Sequence, residues 1–350
     1  MACVPSQPEP DSNNLALLAQ QDASFEQASP TRPLQFPVDH GAHENFRLEW
    51  WYVTTNLQDS EGRQFGAQWT LFRSALRADA TVPTNAWHTP QLYMGHMAIT
   101  WPTGHHAAQR YARGGDHNGL SQAGVESAPF AAWLDDWSLA ATDDGVSSLL
   151  MNARDGGFAI DLQLTTDQPL VLHGVNGFSQ KHAEGGGSHY YSQPFYQASG
   201  TLTIDDEPVQ VSGQAWLDRE WSSQFLKADQ LGWDWFALHL DDGSKLMLYQ
   251  LRQRVGDPYL YAVRIEPGGR RTVLDPDLVE LTVQSWQHVA NRELPLQWQL
   301  SIGNSSPMVV TALHPQQWMD LDFAYWEGVV LVSDVDGNDM GRGYMELTGY

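Results

Sequence analysis

Apolar and polar residues alternate in short runs along most of this chain, and helical spacing is nearly absent. Successive side chains of a strand point to opposite faces, so such runs read as half-buried strands. Gln64 to Arg73 is the plainest case, with Phe65, Ala67, Trp69 and Leu71 on one face. Tyr93 to Trp101, Trp137 to Ala140, Ser148 to Ala153 and Phe158 to Thr165 read the same way. Turn signals lie between the runs at Asp59-Ser-Glu-Gly62, Asp143-Asp-Gly145 and Asp155-Gly-Gly157. Residues 103–119, rich in Gly and His, lack periodicity and read as a long loop. An all-β sandwich or barrel follows. A closed barrel of about eight strands can hold one small ligand.

From Gly232 the pattern begins again. Trp233 to Gly243 resembles Glu49 to Asp59: each is a Trp-led strand entering an acidic turn, and each is followed by a strand closing on arginine, Arg73 or Arg252. At an offset of 128 residues, Gly200, Gly213, Trp216 and Asp218 correspond to Gly328, Gly341, Tyr344 and Glu346. Two similar strand series argue for duplicated β domains, expected over 32–222 and 223–350. Residues 1–31 read as a disordered tether, with one short helix over 15–27.

Gly213-Gln-Ala-Trp-Leu-Asp-Arg-Glu-Trp221 is the densest polar and aromatic stretch. As a strand it puts Trp216, Asp218 and Glu220 on one face and Leu217, Arg219 and Trp221 on the other. Neither face is purely apolar. That fits either a functional site or a buried Glu–Arg or Asp–Arg pair tying two sheets together. At the same offset His189 becomes Gln317, Tyr191 becomes Met319, Arg219 becomes Leu347 and Glu220 becomes Thr348. A structural cluster would persist in both copies, whereas chemistry needs only one, so the first domain is expected to carry the site. The Gly-rich loop from Gly174 to Gly187 lacks the order of a phosphate cradle.

Nineteen basic residues stand against 42 acidic ones, a formal charge of −23. Nothing here could neutralise phosphates, so nucleic acid and anionic membrane surfaces are excluded as main partners. Cys3 is the single cysteine, which rules out an intrachain disulfide and a cysteine-based zinc site. His40, His43, Glu44 and Glu49 are spaced too loosely to argue for a metal, and no metal or cofactor is expected. His96 reads as a core histidine or as a cavity-lining polar group. Cys3 precedes a polar, Pro-rich segment and looks like the lipidated start of a mature bacterial lipoprotein. That reading places the chain in the envelope, on the periplasmic side, with a membrane contact only through the anchor.

Glu49-Trp-Trp-Tyr52, Ser188-His-Tyr-Tyr-Ser192, Ala215-Trp-Leu-Asp-Arg-Glu-Trp221 and the closing Gly343-Tyr-Met-Glu-Leu-Thr-Gly-Tyr350 resemble the AttH / carotenoid 1,2-hydratase (hydroxyneurosporene synthase) family. The resemblance runs from about residue 36 to 350. It implies two tandem lipocalin-like β-barrels, a bacterial envelope setting and an apolar or lipid-like ligand. It also implies a neighbouring ABC transporter of the lipoprotein-release type. In the hydratase branch a His-x-Trp and a Tyr-x-Asp carry water addition. The matching positions are His189-x-Tyr191 and Trp216-x-Asp218, with each aromatic replaced by another.

Three functions are weighed. In an enzyme, Asp218 would be the acid and His189 would orient or deprotonate water. Trp216 and Tyr191 would stabilise a developing cation. Glu220, Glu49, Trp51 and His96 would line the substrate site. Ester hydrolysis could use the same pair, but no Gly-x-Ser-x-Gly elbow exists for a serine hydrolase. In a lipid carrier, Asp218 and His189 would only bind a head group. In a carbohydrate-active sandwich, Asp218 and Glu220 would be paired carboxylates.

Overall fold

The computed structural model describes residues 22–78, 89–114 and 122–350. Apart from two 3-10 turns, its regular structure is all β. The first sheet contains β1 (Leu48–Gln58), β2 (Gln64–Ala75), β3 (Gln91–Trp101), β4 (Gly104–Arg113), β5 (Ala123–Ser127), β6 (Phe130–Leu134) and β7 (Trp137–Ala141). It continues through β8 (Ser148–Asp155), β9 (Phe158–Thr165), β10 (Val171–Leu172), β11 (Phe178–Gln180), β12 (Gly187–Ile204) and β13 (Glu207–Ser222). The second contains β14 (Gln230–Leu240), β15 (Lys245–Gln253), β16 (Tyr259–Ile265), β17 (Arg271–Val273) and β18 (Val279–Val289). β19 (Arg292–Ile302), β20 (Met308–Ala312), β21 (Trp318–Met319), β22 (Tyr325–Asp334) and β23 (Asp339–Leu347) complete it.

Every pairing in the two ladders is antiparallel. The first sheet runs β4-β3-β2-β1-β13-β12-β9-β8-β7-β6-β5, and a bridge between Gly114 and Ala123 joins its two ends. The second runs β17-β16-β15-β14-β23-β22-β20-β19-β18, the same order with fewer strands at one end. The fold is two tandem lipocalin-like barrels.

Each barrel is filled by its own side chains. Trp51, Trp69, Trp137, Met97 and Leu217 pack inside the first, and Phe236, Leu248, Trp298, Trp326 and Met345 inside the second. A third cluster lies between them: Tyr52, Tyr190 and Trp216 meet Trp235, Tyr249 and Tyr344. The strands at this seam are therefore covered on both faces, and β1 is buried along most of its length. This is why the alternation breaks down in β1 and β13. An inward face packs the barrel, and an outward face packs the neighbouring barrel.

Gly66 on β2 shows how close the contact is. A Cβ there would overlap Val329 Cγ2 on β22 and lie 3.3 Å from the Tyr344 ring. Neither neighbour is the end of a flexible chain. Gly66→Ala should lower stability by about 1–3 kcal/mol, read as a lower urea midpoint. An unchanged midpoint would mean that the seam yields freely.

Three expectations need correction. Residues 22–31 are not a disordered tether: Phe25 is buried, Glu26 N–H donates to Asn45 O at 3.0 Å, and Ala28 packs with Phe46 and Trp221. Residues 22–27 form turns rather than a helix end, and the rest of that helix, like Cys3, lies outside the described residues. The expected loop over 103–119 contains β4, whose buried positions Ala108 and Ala112 are too small to register as an apolar stripe.

The offset of 128 holds on β13 and β23 but fails on β12 and β22. Ser192 pairs with Asp218, and Glu327 pairs with Glu346, so Glu327 stands where Ser192 does. Gly200 faces Val211, whereas Gly328 faces Met345. The first hairpin is longer, which shifts every residue on its outer arm. Tyr191, opposite Arg219, therefore matches Trp326, opposite Leu347, and not Met319.

Candidate active site

β13 carries the site from the first barrel. Its pairing with β1 sets Asp218 beside Tyr52, and its pairing with β12 sets Asp218 beside Ser192. Trp216, Asp218 and Glu220 face the second barrel, as strand alternation requires. Here they meet β14 and β23, where Glu346 pairs with Trp235. Between the barrels is a cavity of about 160 Å³. Trp50, Phe72, Phe225, Trp233 and Trp235 form much of its wall, and Asp218, Glu220, Glu346 and Lys181 supply its charged groups together with Glu49 and Arg73. The expected position inside one barrel is corrected, because the barrel interiors are occupied by core side chains.

Asp218 is held by three donors. Trp216 Nε1–H donates to Oδ1 at 2.8 Å, the Tyr190 hydroxyl donates to Oδ2 at 2.8 Å, and the Ser192 hydroxyl donates to Oδ1. Burial outweighs these bonds and raises its carboxyl from 3.8 to about 7, with repulsion from Glu220 adding to the rise. Behind Ser192 stands His173, whose Nε2 lies 2.6 Å from the Ser192 oxygen. With Ser192 giving its own proton to Asp218, His173 completes the chain by donating through Nε2–H to the Ser192 oxygen. Burial, together with the positive charge of Lys181, keeps His173 well below the ordinary histidine range.

Glu220 accepts from Lys181 Nζ at 2.8 Å and from the Ser188 hydroxyl. Lys181 Nζ also lies 4.2 Å from the centre of the Tyr249 ring. With Glu220 engaged in this way, a sugar-hydrolysing pair of Asp218 and Glu220 loses its free carboxylate. Glu346 accepts from Trp233 Nε1–H at 2.7 Å, and enclosure between the sheets raises it to about 7, aided by repulsion from Asp218 and Glu220. Glu327, bonded to the Tyr52 hydroxyl, is pushed well above the usual carboxylate range by burial and by Glu346.

The structure does not bring His189 to Asp218. His189 pairs with Trp221 and points to the opposite face of β12 from Tyr190 and Ser192. It packs on Phe46 and Trp221, its Nε2 accepts from Ser29 N–H at 3.4 Å, and burial lowers it to about 4. Tyr191 shares that face, with its hydroxyl 2.7 Å from His40 Nδ1. Trp216 lies beneath Asp218 rather than on the cavity wall. Trp51 is inside the first barrel, stacked under the Arg219 guanidinium at 3.9 Å. His96 stands behind the wall, 2.9 Å from the Tyr325 hydroxyl, and burial lowers it to about 3.

Glu49 is a buried hub that reaches the cavity edge. It pairs with Arg73 and Arg219, and it accepts from His43 N–H at 2.8 Å. Burial alone would raise its carboxyl, but the two guanidiniums hold it well below the usual carboxylate range. Among the described residues no group of three or more His, Cys, Asp or Glu is arranged to hold a metal.

The profile of the AttH-like family matches residues 27–350. The chain belongs to that family. This AttH-like chain is 35% identical to an AttH protein of Nitrosomonas europaea whose crystal structure superposes with a TM-score of 0.82, covering 93% of this chain and 99% of that one. It shares its fold with kievitone hydratase from Nectria haematococca at 14% identity and a TM-score of 0.66, over 93% and 96% of the two chains. The structure of CghA with Sch210972 aligns at 11% identity and a TM-score of 0.56, over 94% and 96%. No curated protein matches the AttH-like chain.

Lys181, Tyr190, His173, Trp233 and Glu346 escaped the sequence reading. Trp233 and Glu346 had a signal, since the duplication pairs them with the Trp-led strand and with Asp218. Lys181 and His173 had none, because both come from the irregular segment between β9 and β12.

The raised carboxyls set a pH dependence. Asp218 ionises near pH 4 when unfolded and near 7 when folded. Its stabilising contribution is full below about pH 4 and is lost as pH rises through 7. Its shift scales to about 4 kcal/mol. Glu49 works in the opposite sense, stabilising above about pH 4 and losing this only in strong acid. Asp218 therefore pulls the melting temperature down as pH rises between about 4 and 7 and adds no further slope above that window. Asp218→Asn should flatten the pH dependence of thermal melts between about pH 4 and 7 relative to wild type, and an equal slope in that variant over the window would exclude Asp218 as its source.

Proposed function

We propose that the cavity between the barrels binds an apolar, alkene-bearing small molecule and that Asp218 protonates it for the addition of water. The observation that carries this reading is Asp218 itself: an enclosed carboxyl, held at about 7 on an aromatic-walled cavity. A carboxylic acid that keeps its proton near neutral pH can give it to a weak base such as an alkene carbon. The surrounding indole and phenyl faces favour the cation that follows. His189 takes no part, since it faces away. The name of kievitone hydratase, a protein of the same fold, agrees with this chemistry.

The test uses geranylgeraniol and squalene, both trisubstituted alkenes, incubated with the protein in H2(18)O. Incorporation of one labelled oxygen per product, with a mass gain of one water, is the expected result. A probe that binds and is recovered unchanged would instead make the chain a lipid carrier, the reading that also accommodates a transporter partner. Envelope placement through Cys3 belongs to the same proposal. Labelled palmitate that enters the protein in cells, but not a Cys3→Ser variant, would support it, and equal labelling of both would end it.

A further inference from the structure

We propose that Glu346 is a second catalytic carboxyl and that Asp218 and Glu346 hold one proton between them, one barrel supplying the acid and the other the base. This rests on the hydration reading above. The two residues occupy the same position in the duplicated strands: Asp218 lies on β13 opposite Tyr52 of β1, and Glu346 on β23 opposite Trp235 of β14. Both line one cavity. Each is fixed by an indole N–H, from Trp216 at 2.8 Å and Trp233 at 2.7 Å. Duplicated strands packed across a seam thus deliver two carboxyls to one space.

The other charged groups around them are already engaged. Lys181 is paired with Glu220. Arg73 is bound to Glu49. Glu327, next to Glu346 on β22, is bonded to Tyr52, and burial pushes its carboxyl well above the usual carboxylate range. Tyr190, Tyr249, Tyr325 and Tyr344 face the same seam, and burial raises each well above the ordinary tyrosine range. Among the described residues, neither cation of the cavity lining, Arg73 or Lys181, is therefore free to neutralise Asp218 and Glu346 together. Like charges in such a space resist double ionisation, so the pair retains one proton over a span of pH.

The reaction balances on that single proton. Asp218 gives its proton to the less substituted alkene carbon, and the π pair becomes the new C–H bond. The neighbouring carbon becomes a tertiary cation between two carboxylates. A water lone pair then forms the C–O bond, and the proton shed by that water passes to Glu346. The sum is alkene plus water giving a tertiary alcohol. Return of the proton from Glu346 to Asp218 resets the site.

Infrared titration of the protonated-carboxyl C=O band tests the shared proton without any substrate. In Glu346→Gln the midpoint of Asp218 should fall by about one unit or more, and in Asp218→Asn that of Glu346 should fall likewise. Unmoved midpoints in both variants overturn the shared proton. In the geranylgeraniol assay, Glu346→Gln should lose about 10²-fold or more in kcat/KM and lose the acidic limb of the pH profile, while Glu346→Asp restores that limb. A pH profile of unchanged shape in Glu346→Gln overturns the catalytic role. Absence of ¹⁸O incorporation from every probe overturns the hydration reading and Glu346's role with it, whereas incorporation with unmoved midpoints overturns only the shared proton.

Discussion

Asp218→Asn should reduce alkene hydration by about 10²–10⁴-fold while leaving the barrels folded. The amide keeps the size of the carboxyl and can still accept from Trp216 and Ser192, the two donors at Oδ1. Only the bond with Tyr190 must rearrange, because an amide N–H at the Oδ2 position would meet the hydroxyl as a donor. What the variant cannot do is supply a proton. Binding of geranylgeraniol, followed by quenching of the cavity tryptophans, should persist. Separate measurements of binding and turnover therefore decide between enzyme and carrier. Loss of both would assign Asp218 to ligand recognition, and retention of both would remove it from the chemistry.

Glu49→Ala should cost about 3–5 kcal/mol of stability, the largest effect expected of any single change outside the hydrophobic cores. Arg73 and Arg219 are both fully buried, and Glu49 is the carboxylate they share. Removing it leaves two guanidiniums with carbonyl and aromatic neighbours but no counter-charge. Arg73 would keep its bonds to His43 O and Phe46 O at 2.8 Å, and Arg219 would keep its stacking on Trp51. Urea unfolding followed by tryptophan fluorescence should show a lower midpoint, with Glu49→Gln between the variant and the wild type. A midpoint within error of wild type would mean that water reaches the two arginines.

Much of the fold was legible in the chain because the signals were local. Phe65, Ala67, Trp69 and Leu71 alternate as a strand must, and all four are buried in β2. The division of Asp218 and Glu220 from Arg219 and Trp221 followed from the same rule. β4 was missed because its inward positions are alanines, whose apolar area is too small to set a pattern. The site was harder to read. His189 and Asp218 sit on adjacent strands, and nothing in their spacing tells which face of β12 the imidazole takes. That depends on the register with β13, which the bulge between Gln193 and Tyr196 shifts. Lys181 reaches Glu220 from an irregular segment, beyond the reach of periodicity.

The matching positions of Asp218 and Glu346 bear on how such a site could originate. Two separate copies of one barrel meeting through this strand would form a self-complementary contact, in which a residue near the axis faces its own duplicate. Such a pair carries identical carboxyls and identical surroundings, and no mutation can alter one alone. Linking the copies in a single chain lifts that constraint. One strand now carries aspartate beside a serine and the other glutamate beside a second glutamate, so the two halves of an inherited symmetric pair can specialise as donor and acceptor.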